Sequence, residues 1–301
     1  MKKLIVILGP TASGKSELAV QLAKKFNGEI ISADSRQVYK GLDIGSGKIT
    51  KKEMGGIPHH LLSIVSPKKR FTVAQYRCCA IDAIATIAQQ GKLPILVGGS
   101  PLYIYSVVDG WVIPEVKPNA KLRKQLERLS VQQLLKKLQK LDSERARTIE
   151  QKNPRRLIRA LEIIMTTGKP VPQFQKHPLP HPVLFLGIKK SKEELKKLIA
   201  QRLAKRFKQG MIKEIENLHN QGLSWKRLEE LGLEYRFIAQ YLQKKFSLME
   251  MKKKLQKAVE DFSRRQMTWF KKDQRIHWIK TLKEAESLIS HEKRSHLIKE
   301  R

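Results

Sequence analysis

Cysteine and long apolar runs are scarce in this chain of 301 residues, and each shortage excludes a class of protein. The only two cysteines, Cys78 and Cys79, are adjacent and cannot form the disulfide framework of a small secreted domain. No apolar run approaches the ~18 residues of a membrane span, and the first strand-like run follows Met1 too closely to leave room for a signal peptide. We therefore expect a cytoplasmic protein without a membrane segment, and we expect it to be a monomer.

Acidic residues are also few, with 28 Asp and Glu against 61 Lys and Arg, which gives a formal charge of +33. Residues 189–275 carry 24 basic and 11 acidic side chains, whereas residues 1–110 carry 15 and 7. An excess of this size indicates a polyanionic partner, although basic helix faces that only contact solvent stay open as an explanation. The few aromatic residues at Trp225, Trp269, Phe270 and Trp278 fall in apolar patterns and are expected in the core.

One motif predicts phosphate binding. Residues 9–16 match G-x-x-x-x-G-K-[ST], directly after the apolar run Leu4–Leu8 and directly before a helical pattern. In this arrangement the backbone N–H groups and the helix dipole face phosphate oxygens, Lys15 reaches the terminal phosphates, and the Ser16 hydroxyl can bind Mg²⁺. The motif indicates a diphosphate or triphosphate without specifying a nucleotide, and its residues are Gly9, Pro10, Thr11, Ala12, Ser13, Gly14, Lys15 and Ser16.

The spacing of apolar runs predicts an α/β fold. Strand-like runs recur at residues 29–33, 93–97, 183–187 and 275–279, with helical patterns between them. This alternation is typical of a P-loop NTPase-like parallel sheet with helices on both faces. Between Pro114 and Pro182 two amphipathic helices, capped by Ser130 and Asn153, follow each other without a strand. We expect a small all-helical insertion domain at 115–182 within a core domain of residues 1–114 and 183–301.

Two further turns follow predicted strands. Asp34 follows the second strand, where a carboxylate is placed for chemistry or for Mg²⁺, or else caps a helix. The next strand ends at Gly98, Gly99 and Ser100, and no acidic residue stands there as in a Walker-B motif, which argues against an ATPase. His59 and His60 lack a third metal ligand at a suitable spacing, so we expect them to form hydrogen bonds or to pack.

With these motifs in order, the chain resembles the tRNA dimethylallyltransferases, also called tRNA isopentenyltransferases, of the bacterial type. The matching blocks run almost end to end and lie at residues 9–16, 34–39, 43–48, 58–61, 98–110, 156–162 with 167–168, 202–211, 232–235 and 264–270. The resemblance implies transfer of a dimethylallyl group from dimethylallyl diphosphate to N6 of the adenosine immediately 3′ of a tRNA anticodon. Mg²⁺ is the implied cofactor, and the tRNA anticodon stem-loop is the implied partner.

The resemblance also assigns roles to residues of this chain. Arg202 and Arg206 join the phosphate loop in binding diphosphate, although a solvated basic helix face would have the same spacing. The implied catalytic residues are Asp34, which accepts the N6 proton, Ser100, which orients the base, Lys15 and Arg206. The residues implied in tRNA binding are Asp34, Ser35, Arg36, Gln37, Ser100, Arg123, Arg155, Arg156, Leu157, Ile158 and Arg159.

Two other functions stay open from the sequence. A P-loop kinase of a nucleoside or small metabolite would use the same loop for ATP, but it accounts neither for the missing Walker-B carboxylate nor for the excess charge. A nucleic-acid-binding NTPase would need an acidic residue near a strand end to polarise water.

Overall fold

A computed structural model describes residues 3–112, 114, 116–173 and 175–299 of the chain, and from residue 292 onward it describes the backbone alone. Its strands are β1 (Leu4–Leu8), β2 (Gly28–Ala33), β3 (His59–His60), β4 (Leu93–Gly98), β5 (Val183–Ile188) and β6 (Ile276–Ile279). The helices of the first half are α1 (Lys15–Phe26), α2 (Lys51–Met54), α3 (Val73–Gln89), α4 (Pro101–Val108), α5 (Ala120–Leu126), α6 (Val131–Leu141), α7 (Ser143–Thr148) and α8 (Pro154–Thr167). Those that follow β5 are α9 (Lys192–Lys208), α10 (Met211–Asn220), α11 (Trp225–Glu230), α12 (Leu233–Leu242), α13 (Leu248–Phe270) and α14 (Leu282–Lys299).

The six strands form one sheet in the order β3-β2-β4-β1-β5-β6, and every strand pair is parallel. All five residues of β1 are buried, which explains why this segment reads as a continuous apolar run rather than an alternating one. The parallel α/β sheet predicted from the sequence is confirmed.

Helices cover both faces of the sheet. Alternate strand residues such as Ile5, Ile7 and Ile95 pack in one apolar cluster with buried side chains of α1 and α14. Their neighbours Leu4 and Val6 point to the opposite face and are equally buried. Helices α3 and α4 pack against β4, and α3 also packs against β2.

A second compact unit covers residues 111–177, and residues 1–110 together with 178–301 make up the first. The second unit contains α5 to α8, whose buried leucines and isoleucines form their own apolar cluster. Ser130 caps α6 in a capping box with Gln133, and Asn153 caps α8, so both predicted caps are confirmed. The bounds of this unit differ by a few residues from the 115–182 that the sequence predicted.

The structure also tests the predictions made for His59, His60 and Trp269. His59 and His60 form the edge strand β3, and a strand of two residues is too short to show an alternating pattern in the sequence. His60 Nε2 lies 2.7 Å from the Glu29 carboxylate and His59 Nδ1 lies 2.8 Å from the Ile57 carbonyl oxygen, so both histidines make hydrogen bonds. Trp269 is 42% exposed, so the prediction that it lies in the core was wrong, whereas its neighbour Phe270 is fully buried.

Within the described ranges, no helix combines the length and the apolar character that crossing a membrane requires.

Candidate active site

Three loops that carry candidate residues leave neighbouring strands at one edge of the sheet. Strand β4 lies between β1 and β2 and runs parallel to both. The phosphate loop after β1, the turn after β2 at Asp34 and the turn after β4 at Gly98–Ser100 therefore lie side by side. In open α/β sheets, the crevice outside the carboxyl ends of the strands is where ligands bind.

The phosphate loop has the conformation of an anion-binding turn. Ala12 and Gly14 have positive φ angles of 63° and 89°, and Gly14 stands immediately before the first residue of α1. This backbone turns successive N–H groups toward the space in front of the helix. The Ser13 hydroxyl oxygen is buried, and it has no hydrogen-bond partner in the part of the chain that the structure describes. A phosphate oxygen would satisfy this hydroxyl, so the loop fits an anionic ligand.

Lys15 carries its ammonium group in a desolvated position within this loop. Its Nζ donates a hydrogen bond to the Pro10 carbonyl oxygen at 2.6 Å. Burial, and after it the positive charge of Arg202, lowers the pKa of Lys15 to about 7, while the Asp34 carboxylate acts in the opposite direction. A bound diphosphate would supply the negative charge that this ammonium lacks.

Arg202 and Arg206 lie one turn apart on α9 and approach the loops from the same side. Arg202 donates hydrogen bonds to Thr11 Oγ1 in the phosphate loop at 3.2 Å and to the Gly47 carbonyl oxygen at 3.3 Å. Burial, followed by the charge of Arg206, lowers the pKa of Arg202 to about 10. Arg206 is 7% exposed and donates to the carboxylate of Glu234 at 3.2 Å. A solvated basic helix face is therefore excluded for this pair.

The loop of residues 43–48 supports the two arginines. Its Gly45 carbonyl oxygen accepts from Arg206 at 3.3 Å, and a Cβ added at Gly47 would lie inside the Arg206 guanidinium. The Glu214 carboxylate of α10 accepts hydrogen bonds from three consecutive backbone N–H groups of this loop, those of residues 43, 44 and 45, at 3.0, 2.6 and 3.0 Å. Tyr235 donates to the same carboxylate at 3.0 Å. Glu214 thus fixes the carbonyl groups that hold the arginines.

Asp34 caps the turn after β2 rather than a helix. Its Oδ1 accepts from the backbone N–H of Arg36 at 2.8 Å and of Gln37 at 3.4 Å. Its negative charge opposes the burial that lowers the pKa of Lys15 and of Arg202, so the carboxylate lies near both cations.

The turn of Asp34 is joined to its neighbours on both sides. The Ser35 N–H donates to Ser100 Oγ at 3.4 Å, which links it to the turn after β4. Gln37 Nε2 donates to the Gly47 carbonyl oxygen at 3.2 Å, the same oxygen that Arg202 contacts. The structure therefore brings Lys15, Asp34, Ser100 and Arg202 together on neighbouring loops.

In the helical unit, two of the predicted RNA-binding arginines are used inside the unit. The carboxylate of Glu162 is fully buried and is bound by Arg123 Nη2 at 2.7 Å and by Arg159 Nη1 at 2.6 Å. Burial alone would raise the pKa of Glu162, but the hydrogen bonds from these two arginines hold it below its usual range. Arg123 therefore pins α5 to α8 around a buried charge, and Arg159 binds the same carboxylate from within α8.

Other predicted residues of α8 divide between core and surface. Leu157 is fully buried and Ile158 is 9% exposed, both within the apolar cluster of the unit, so their side chains pack rather than face an RNA. Arg155 and Arg156 are exposed at the start of the helix and line a cavity of about 340 Å³ together with Arg159. Arg145, which sequence reasoning missed, also lines this cavity. This open, basic concavity is a candidate phosphate-binding surface.

Comparison with known proteins decides the family. The model of the "IPP transferase" family matches residues 37–273 of the chain. The chain belongs to the IPP transferase family. It is 42% identical over 298 residues to tRNA dimethylallyltransferase 1 of Geotalea daltonii, with 96% of each chain covered, and 40% identical over 281 residues to tRNA dimethylallyltransferase of Anoxybacillus flavithermus, with 92% and 90% covered.

Solved structures of IPP transferases agree with the fold. The full-length tRNA isopentenylpyrophosphate transferase of Bacillus halodurans superposes with a TM-score of 0.74 at 34% identity, covering 99% of each chain. A eukaryotic dimethylallyltransferase acting on tRNA superposes with a TM-score of 0.78 at 27% identity, covering 100% of this chain and 80% of that one. The chain is thus a transferase with the P-loop-like fold of its family.

Sequence reasoning missed two residues of this IPP transferase that organise the site, Glu214 and Gln266. Each contacts loops that are 167 or more positions away in the sequence, so no local motif predicts its role. The signals that sequence analysis could have used are that Gln266 falls within the matching block at 264–270 and that Glu214 stands three positions after the block at 202–211.

The donor set of this IPP transferase fits Mg²⁺ in one respect. Ser16 lies exposed in the first turn of α1, beside the loop where phosphate oxygens would bind. No cluster of three or more metal-binding His, Cys, Asp or Glu side chains occurs among the residues that the structure describes. A hydroxyl that completes its ligand shell with phosphate oxygens and water is a usual Mg²⁺ arrangement, so the site suits an ion that arrives with the substrate.

Proposed function

We propose that this chain transfers a dimethylallyl group from dimethylallyl diphosphate to N6 of the adenosine immediately 3′ of the anticodon in tRNA. The observation that carries the proposal is the adjacency of two sets of groups at one sheet edge. Lys15 and Arg202 converge on the phosphate loop, and Asp34 and Ser100 stand on the two neighbouring turns. The first set suits a departing diphosphate and the second suits an amine that must lose a proton.

The first half of the reaction separates charge. The allylic carbon–oxygen bond breaks, its electron pair leaves with the diphosphate, and positive charge develops on the prenyl carbon. Lys15, Arg202 and the N–H groups of the phosphate loop stabilise the diphosphate because they are preorganised and partly desolvated. Mg²⁺ held by Ser16 would supply further charge neutralisation on the phosphate oxygens.

The second half forms the new carbon–nitrogen bond. The exocyclic amine of adenine is a weak nucleophile, and it gives up one proton as its lone pair binds the prenyl carbon. Asp34 accepts that proton, since its Oδ1 is fixed by two backbone N–H groups and its charge lies near Lys15 of the phosphate loop. Ser100 orients the base through its hydroxyl group.

The target base must leave its stack to reach these groups. Unpaired loop nucleotides are displaced at low cost, and their edges are read by hydrogen bonds and stacking. Ser35, Arg36 and Gln37 follow Asp34 directly and would contact the displaced base and its neighbours. Gln37 is already held between Ser32 Oγ at 3.1 Å and the Gly47 carbonyl oxygen at 3.2 Å, so its amide is oriented.

We propose that the helical unit is a tRNA-binding domain that binds the anticodon stem-loop. It carries 16 basic and 6 acidic residues between positions 111 and 177, and its exposed Arg155 and Arg156 line a concave surface. Contacts of this kind fix the position of an RNA backbone and do not read its sequence. One chain carries every group invoked, so we propose that a monomer acts on tRNA in the cytoplasm.

The test is product formation with defined substrates. The purified chain is incubated with Mg²⁺, dimethylallyl diphosphate and an anticodon stem-loop that has adenosine at the position 3′ of the anticodon. Mass spectrometry of the digested RNA should show one dimethylallyl group on that adenosine, and the same stem-loop with guanosine there serves as the control. Phosphorylation of a nucleoside with ATP in place of prenyl transfer would instead favour a P-loop kinase.

A further inference from the structure

A buried glutamine joins the two halves of the proposed site. Gln266 lies on α13 and is 4% exposed. Its Oε1 accepts the backbone N–H of Thr11 at 2.9 Å, and its Nε2 donates to the Gly99 carbonyl oxygen at 2.5 Å. Because Thr11 offers a donor and Gly99 offers an acceptor, only one orientation of the amide satisfies both.

The two partners of Gln266 belong to different parts of the reaction. Thr11 is in the phosphate loop, and its hydroxyl also accepts from Arg202 at 3.2 Å. Gly99 precedes Ser100, whose hydroxyl accepts from the N–H of Ser35 on the Asp34 turn at 3.4 Å. The Gln266 amide therefore stands between the groups that hold the diphosphate and the groups that face the adenine.

The backbone at Gly99 is adapted to this contact. A Cβ at Gly99 would lie 2.5 Å from Gln266 Nε2 and 3.4 Å from the Gly9 carbonyl oxygen. Any larger residue would displace the amide from between the loops. The glycine and the glutamine are thus two parts of one contact, although they are 167 positions apart in the chain.

Gln266 also changes the set of phosphate ligands. The Thr11 N–H is one of the amides of the phosphate loop, and here it is bonded to Gln266. The phosphate-facing amides must then come from the later residues of the loop, next to α1, and the first residues serve to anchor the loop.

We propose that Gln266 is a positioning residue that sets the separation between the leaving diphosphate and the attacking amine. The inference rests on the proposed function. Attack of the amine on the prenyl carbon needs the reacting atoms about 3–3.5 Å apart and aligned, and a misplacement of about 1 Å can lower the rate about 10²-fold. An amide that holds both turns rigidly meets this requirement without touching either substrate.

The experiment compares Gln266→Ala and Gln266→Glu with a matched control, Gln256→Ala. Gln256 lies on the same helix, and its amide donates to Glu260 Oε1, one turn further along that helix, at 3.0 Å. For Gln266→Ala we expect kcat to fall about 10²-fold, while the Kd of the stem-loop and the Kd of dimethylallyl diphosphate each change less than about threefold. Gln266→Glu keeps the shape and the acceptor but loses the donor, and its kcat should lie between those of Gln266→Ala and wild type. Gln256→Ala should behave as wild type.

A second route breaks the same contact from the other side. Gly99→Ala should lower kcat as Gln266→Ala does. In the double variant Gly99→Ala, Gln266→Ala the added methyl group meets no amide, so the two losses should not add. Additive losses would overturn the shared contact.

The outcomes separate this inference from the proposed function. If the wild-type chain transfers no dimethylallyl group, the proposed function fails. If wild type is active and Gln266→Ala retains the kcat of Gln256→Ala, or loses substrate affinity in proportion to kcat, the positioning role is wrong. Should Gln266→Ala not fold, as judged by thermal unfolding, Gln266→Glu and Gly99→Ala decide by the same criteria.

Discussion

At the scale of single residues, Lys15 holds a charge in a place that disfavours it. Burial and the nearby Arg202 lower the pKa of Lys15 to about 7, so the free protein releases this proton near neutral pH. A diphosphate in the loop stabilises the protonated form and raises the pKa again. Binding of the anion is therefore coupled to uptake of a proton at every pH between the two pKa values.

The first prediction concerns this coupling. Diphosphate binding at pH 8 should take up close to one proton more than at pH 6, and its affinity should fall as the pH rises above about 7. Isothermal titration calorimetry in two buffers with different ionisation heats measures the proton count. Lys15→Arg is the control, because it keeps the charge but does not titrate in this range and reports the titration of the ligand alone. An equal proton count for both proteins would contradict the pKa assigned to Lys15.

Asp34 supports the second prediction. Asp34→Asn keeps an oxygen that can accept from the N–H groups of Arg36 and Gln37 but removes the proton acceptor. We expect kcat to fall by about 10²- to 10⁴-fold, the range of general-base catalysis, with stem-loop affinity unchanged. Single-turnover kinetics and a binding titration measure the two quantities. If affinity falls as much as the rate, Asp34 positions the turn and does not accept the proton.

At the scale of elements, the loop of residues 43–48 transmits the position of α10 to α9. Glu214 on α10 binds three N–H groups of this loop, and the carbonyl groups of Gly45 and Gly47 in turn bind Arg206 and Arg202. The arginines alone could adopt many rotamers. The loop selects the one that points at the phosphate loop.

The third prediction tests this support. Glu214→Ala removes the acceptor for three N–H groups and should weaken diphosphate binding about tenfold, the loss expected when one preorganised charge contact relaxes by about 1.4 kcal/mol. Stem-loop affinity should stay unchanged. Glu216→Ala is the matched control, because Glu216 lies on the same helix and pairs with the exposed Lys213. Equal effects of the two substitutions would exclude a supporting role for Glu214.

The elements that could be predicted from the sequence are those with local signals. The phosphate loop is contiguous and flanked by a strand and a helix, and the pairing of Arg202 with Arg206 follows from one helical turn. Strand β3 has only two residues, so it shows no periodic pattern in the sequence and could not be predicted. Gln266 and Glu214 act across 255 and about 170 positions, and only folding brings their partners together. Leu157 follows the apolar spacing of α8, so the sequence pattern by itself predicts that its side chain is buried. Its assignment to an RNA contact comes from the resemblance alone.

At the scale of the whole molecule, the charge of +33 favours binding to the polyanionic backbone of the proposed tRNA partner. Each cation that neutralises an RNA phosphate releases counterions, so binding weakens with salt along a slope set by the number of contacts. Arg155 and Arg156 are exposed, whereas Arg123 and Arg159 are held by the buried Glu162. The structure thus divides the predicted arginines into two groups with different expected effects.

The last prediction separates these groups. The double variant Arg155→Ala, Arg156→Ala should weaken stem-loop binding and reduce the slope of log K against log salt by about one to two, with thermal stability close to wild type. Arg123→Ala should instead destabilise the helical unit, because it removes one partner of a buried carboxylate, and the loss should stay below the cost of about 3–5 kcal/mol for a fully unpaired buried charge, since Arg159 remains. Salt titrations of stem-loop binding and thermal unfolding of both variants measure the two effects. An unchanged slope in the double variant would mean that the stem-loop binds elsewhere, and the basic stretch at residues 189–275 would then be the surface to substitute next, since its 24 basic side chains offer the densest alternative.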